Sequence, residues 1–116
     1  MDTQNTFDIA HQLAKAIKEN QIYLAYIKAQ KSIEEQPELK EKIRAFREKQ
    51  TNINHMHFLG QEIQPELIKE ISLEFARLNT NKTAADFFEA EADFIRMFNE
   101  VQEIIQKEVM AGFIDK

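Results

Sequence analysis

Residues 83–111 read TAADFFEAEADFIRMFNEVQEIIQKEVMA. The run holds neither glycine nor proline, and its apolar residues return at steps of three and four, the spacing of one helix face. Stepped at about 100° per residue from Phe87, the residues Phe94, Phe98, Val101 and Ile105 fall close to one line along the helix. Phe88 and Ile95 lie to one side of that line, Met97 and Ile104 to the other. The apolar arc is about 200° wide, whereas a helix resting on a globule shows a stripe of little more than about 100°. Such a helix requires neighbours on several sides.

Working outward, four more helices are marked by their ends. Asn79 to Thr83 form a polar loop ahead of the last helix, which is predicted to run from Lys82 or Thr83 to Ala111 and to end at Gly112. The fourth begins at Pro65 and closes near Asn79, with Leu67, Ile71, Phe75 and Leu78 inward. Pro37 opens the third, which runs to Leu59 and stops at Gly60, a residue suited to a left-handed cap. Leu39, Ile43, Phe46 and Ile53 make its seam. The first helix spans about Thr6 to Lys18, with Phe7, Ala10, Leu13, Ala14 and Ile17 as its stripe. Asn20 separates it from the second, whose main face is Ile22, Tyr26, Ala29 and Ile33. The prediction is an all-α fold: a five-helix antiparallel bundle-like domain with two long helices, elongated, with residues 1–116 as a single helical domain.

Length supports a dimer. The third helix would be roughly 33 Å long and the fifth roughly 43 Å, against a radius of gyration near ~13 Å for a compact chain of this size. The last helix therefore overhangs a spherical monomer, and a second copy is the expected cover. The nominated interface is Phe94, Met97, Phe98 and Ile104 on the last helix, together with Met56, Phe58 and Leu59, which point three ways at the tip of the third. Three polar residues interrupt these seams. Gln50 and His57 fall on the apolar face of the third helix, and Glu91 falls about 40° from Phe87 on the fifth. A buried carboxylate is costly unless paired, so Glu91 is expected either to accept hydrogen bonds from Arg47 or Gln50 and set helix register, or to lie at a solvated edge.

Composition narrows the chemistry. The 116 residues include 43% hydrophobic and 30% charged side chains, enough apolar material for a core and too much for a disordered chain. There is no cysteine, which removes disulfides, thiol nucleophiles and thiolate-ligated metals. No apolar run approaches the roughly 18 residues of a membrane span, and the first residues lack the basic-then-apolar order of a signal peptide. A cytoplasmic location with no membrane contact is expected. Residues 50–116 carry twelve acids against six bases, a charge that repels phosphate, so direct nucleic-acid binding is not expected. The Lys40, Lys42, Arg44, Arg47, Lys49 run interleaves with Glu38, Glu41 and Glu48 and reads as a solvated helix face.

No catalytic constellation emerges. Ser32 and Ser72 sit mid-helix without a glycine elbow, and the two glycines are too far apart for a phosphate loop. A carboxylate di-metal bundle needs Glu-x-x-His on two helices, and the chain offers only Asp8 with His11. His55 and His57 diverge on a helix. Glu89 and Asp93 form a solvated acidic face. The sequence thus predicts no enzyme activity and no cofactor.

Three stretches carry a resemblance: Phe46-Arg47-Glu48-Lys49-Gln50, the turn Gly60-Gln61-Glu62-Ile63, and Phe87-Phe88-Glu89-Ala90-Glu91. With the helix order, they make residues 7–109 similar to the YlbF/YmcA family of small bacterial helical proteins, especially its YheA-like branch. The resemblance implies a helical, self-associating protein without enzymatic activity. Better-studied branches act in a complex that influences competence, sporulation and biofilm formation, partly by tuning an RNA-processing ribonuclease. Some carry C-terminal cysteines that hold iron–sulfur clusters, and their absence here breaks that carry-over. The expectation is a homodimeric regulatory adaptor with an unidentified protein partner. A small-ligand or metal-binding helical bundle is the alternative.

Overall fold

The computed structural model describes the backbone of residues 2–114 and the side chains of residues 3–111. Its described residues form five helices and no strands: α1 (Asp2–Glu19), α2 (Gln21–Glu34), α3 (Pro37–Phe58), α4 (Pro65–Leu78) and α5 (Lys82–Ile114). The all-α class and the order of elements follow the sequence prediction.

The helix ends have local causes. Asn20 is the whole connection between α1 and α2, and its side-chain oxygen accepts a hydrogen bond from the Ile22 amide at 2.8 Å. Pro37 and Pro65 each occupy the first turn, where a missing N–H costs nothing. Gly60 has φ of 74°, and the chain around it closes α3 with two crossed bonds. The Gly60 amide donates to the His57 carbonyl at 3.0 Å and the Gln61 amide to the Met56 carbonyl at 2.9 Å. At α5 the Asn81 side-chain oxygen accepts from the Ala84 amide at 3.2 Å.

Two boundaries differ from expectation. Helix α1 starts at Asp2, upstream of Thr6, because no proline or glycine interrupts that segment. Helix α5 passes through Gly112 to Ile114. One glycine weakens a helix by only roughly 0.5–1 kcal/mol relative to alanine, and no turn-forcing residue follows it.

Contacts divide the chain into two compact units, a terminal unit (Met1–Lys28 with Glu89–Lys116) and a central unit (Ala29–Phe88). The central unit has a true core. Ile33, Leu39, Ile43, Phe46, Leu78, Ala84 and Phe87 are buried, with Phe46 only 1% exposed. Phe46 stacks on Phe75 at 5.7 Å and meets Phe88 edge-on at 6.1 Å. Lys49 of α3 reaches Glu74 at 2.9 Å and Glu70 at 3.4 Å on α4, tying the α3–α4 pair together. Lys40 bonds Glu34 at 2.7 Å across the α2–α3 turn, and the Gln36 amide group donates to the Thr83 hydroxyl at 3.1 Å.

The terminal unit is different. None of its described residues is buried. Within it Phe94 stacks on Tyr26 at 5.2 Å and is tilted against Tyr23 at 5.6 Å. Along α1, every described side chain but the half-buried Ile17 is exposed.

Candidate interaction surfaces

Large apolar side chains stay exposed in two places. In the terminal unit they are Phe7, Ile9 and Leu13 on α1, Ile22 and Leu24 on α2, and Ile95, Phe98, Ile104, Ile105, Val109 and Met110 on α5. In the central unit the strongest case is the end of α3, where Phe58 is 85% exposed beside Leu59. Apolar surface of this extent on helices is a signature of an interaction face.

Among the nominated interface residues, Phe58, Leu59, Phe98 and Ile104 are exposed, while Met56, Phe94 and Met97 are half-buried. Phe94 owes its cover to the two tyrosines of its own chain. The polar residues nominated for register are scattered. The Arg47 guanidinium lies 5.4 Å over the Phe87 ring, a cation–π arrangement. In the single chain Gln50 and His57 are exposed and Glu91 is half-buried. Sequence reasoning did not nominate Phe7, Ile9 and Leu13. The α1 stripe with Phe7 and Leu13 is legible in the sequence, but its period alone assigns it no partner, and Ile9 lies outside it.

Electrostatics along these helices are those of solvated surfaces. Arg44 donates to Glu41 at 2.6 Å and to Glu48 at 3.0 Å, which pulls the Glu41 carboxyl below its ordinary value and raises Arg44. On α5, Lys107 sits 2.8 Å from Glu103 and lowers that carboxyl in the same way. Asp93 accepts from Arg96 at 3.1 Å. Hydrogen bonds from Lys49 to Glu74 and then Glu70 raise the lysine.

Among the described residues, no three His, Asp or Glu side chains gather as a metal site, and Asp8, His11, His55 and His57 are all exposed. No described helix is long and apolar enough to cross a membrane. One cleft of about 530 Å³ opens in the central unit over Leu39 and Leu78, with Lys42, Lys49, Arg77 and Asn81 among its walls.

The described residues form a helical protein with large apolar side chains exposed on several helices. Its sequence matches, over residues 6–110, the model of the family described as control of competence regulator ComK, YlbF/YmcA. The chain belongs to that family. It is 25% identical to a UPF0342 protein of Caldicellulosiruptor bescii, an alignment covering 97% of this chain and 99% of the relative. It is 27% identical to a UPF0342 protein of Staphylococcus saprophyticus over 89% of this chain and 90% of the relative. No solved structure matches the chain.

Proposed function

We propose that the chain is a non-enzymatic regulatory adaptor that works as a homodimer. The observation that carries this reading is the terminal unit, where no described residue is buried and Phe7, Ile9, Leu13, Phe98, Ile104 and Ile105 stay exposed on the helices. Isolated helices are marginal in water, and most helical stability comes from packing an amphipathic face. A second copy supplies that packing, with Phe98 and Ile104 in the contact and Met97 and Phe94 beneath it. The family's description as control of a competence regulator supports a regulatory role. The tip formed by Met56, Phe58 and Leu59 is then free to take a different protein.

Light scattering after size exclusion at tens of micromolar tests the first part: twice the 13.6 kDa chain mass is expected, and a clean monomer would sink the reading. For the second part, Phe58→Ser should leave the dimer intact and abolish recovery of a regulatory partner from native cells. Recovery at the wild-type level would count against a role for the tip.

The cleft over Leu39 and Leu78 supports a second reading, small-ligand binding. A ligand held there would raise the melting temperature in proportion to the logarithm of its concentration.

A further inference from the structure

We propose that the cleft between α3 and α4 binds a small carboxylate carried on a short apolar stem. The inference rests on the small-ligand reading of that cleft and adds the ligand's chemistry and the direction in which it lies.

The cleft belongs to the central unit alone. Leu39 lines it with Leu78, Phe46 stacks on Phe75, and Lys49 bonds Glu74, so positions rise along α3 as they fall along α4. The two helices are therefore antiparallel, and Arg77 and Asn81 lie toward the same end of the groove as Lys42. Lys49 spans the other end through its bonds to Glu70 and Glu74. Leu39 and Leu78 are buried and supply the apolar lining.

The two ends differ in which polar groups are left over. At the Lys49 end one ammonium already meets two carboxylates. At the Lys42 end the donors lack acceptors. Among the described residues, the side chains of Lys42 and Arg77 make no ion pair or hydrogen bond. The Asn81 side-chain oxygen accepts from the Ala84 amide, which leaves its NH2 group as an unused donor. Such donors favour an anion, and a guanidinium matches a carboxylate through two parallel bonds. Three cations stand in the cleft against two carboxylates, so the surplus is one positive charge and suits a monoanion. An adjoining hollow shares Leu39, Lys42 and Asn81 but adds Glu38, whose charge offsets that of Lys42, so the anionic head is assigned to the Arg77 side.

The stem then runs over the leucines toward Lys49. Seven positions separate Lys42 from Lys49, roughly 10 Å of groove and room for a chain of about six carbons. The volume of about 530 Å³ falls within the roughly 300–1,000 Å³ usual for small-molecule pockets.

Titration of the isotope-labelled full-length chain with sodium hexanoate, followed by amide chemical shifts, tests the inference. Saturable shifts at Leu39, Lys42, Leu78 and Asn81 are expected, with a millimolar dissociation constant as suits a ligand of about eight heavy atoms. Hexanol, which has the stem without the charge, should bind at least about tenfold more weakly. Asn81→Asp keeps the oxygen that caps α5 but replaces the donor with a negative charge, so it should fold normally and weaken hexanoate by a similar factor. The pair Lys42→Gln with Arg77→Gln should do the same, while Lys69→Gln, outside the cleft, should leave binding unchanged. Equal binding of hexanol and hexanoate would overturn the carboxylate and leave the small-ligand reading standing. Inorganic phosphate binding as tightly as hexanoate would overturn the apolar stem. Saturable shifts with an acidic peptide such as hexaglutamate, and none with hexanoate, would replace the small ligand by a protein segment. If hexanoate, hexanol and phosphate all fail to shift the cleft amides at tens of millimolar, the inference and the small-ligand reading fall together.

Discussion

The central and terminal units are built from the same materials and finish differently. Both contain helices with apolar residues at steps of three and four, both have aromatic clusters, and α2 and α5 each contribute to both. In the central unit Phe46, Phe75, Phe87 and Phe88 form a connected aromatic group, and Phe46 and Phe87 are buried. In the terminal unit Phe94, Tyr23, Tyr26 and Phe98 form a similar group, none of it buried. Amphipathic patterning thus specifies that a face will be covered. It does not specify whether the cover lies in the same chain.

The largest test of that contrast is in the core. Phe46→Ala removes the most buried ring and should cost about 3–5 kcal/mol in urea unfolding, at any protein concentration. Leu13→Ala on α1 should behave in another way. Where the protein is associated it should cost about 2 kcal/mol or more, as buried leucines do, and in dilute monomer less than about 0.5 kcal/mol, as surface positions do. Equal costs at both concentrations would erase the distinction between the units.

Gly60→Ala probes the turn that closes α3. The space for a methyl group is open, but φ of 74° is unfavourable for alanine, and a loss of about 1 kcal/mol is expected in the same urea assay.

The smallest effect should come from Lys49→Met, which removes the ties from α3 to Glu70 and Glu74. Lys49 is raised above the ordinary lysine value of 10.5, so its contribution is complete below that pH and disappears as pH climbs through the higher folded value. The wild-type melting temperature should therefore fall toward that of the variant in strong alkali. The gap between them should also shrink in high salt, because the Lys49 ammonium and its two carboxylates remain partly open to solvent.

Much of the fold was legible because its punctuation is chemical. Pro37, Pro65, Asn20 and Gly60 mark boundaries through missing donors, side-chain caps and a positive φ, all local properties. The Leu39, Ile43, Phe46 seam was legible through its period and is buried. Phe75 shows where periodicity stops short. It touches Phe46 and Phe88 as its register demands, yet remains 42% exposed because coverage depends on what lies beyond those rings. Gln50 and His57 are exposed in the single chain, because periodicity places a residue on a helix face without specifying what covers that face. Gly112 does not end α5, because a single glycine costs a helix only about 0.5–1 kcal/mol relative to alanine and the helical backbone continues to Ile114.

The aromatic cluster around Phe94 has an optical consequence. The chain has no tryptophan and two tyrosines, Tyr23 and Tyr26, and both lie against Phe94. Tyrosine emission from the unlabelled protein therefore arises wholly within one half of the molecule, while far-ultraviolet circular dichroism sums over all five helices. Recorded side by side during a titration or a melt, the two signals separate the halves without a dye, a tag or a substitution.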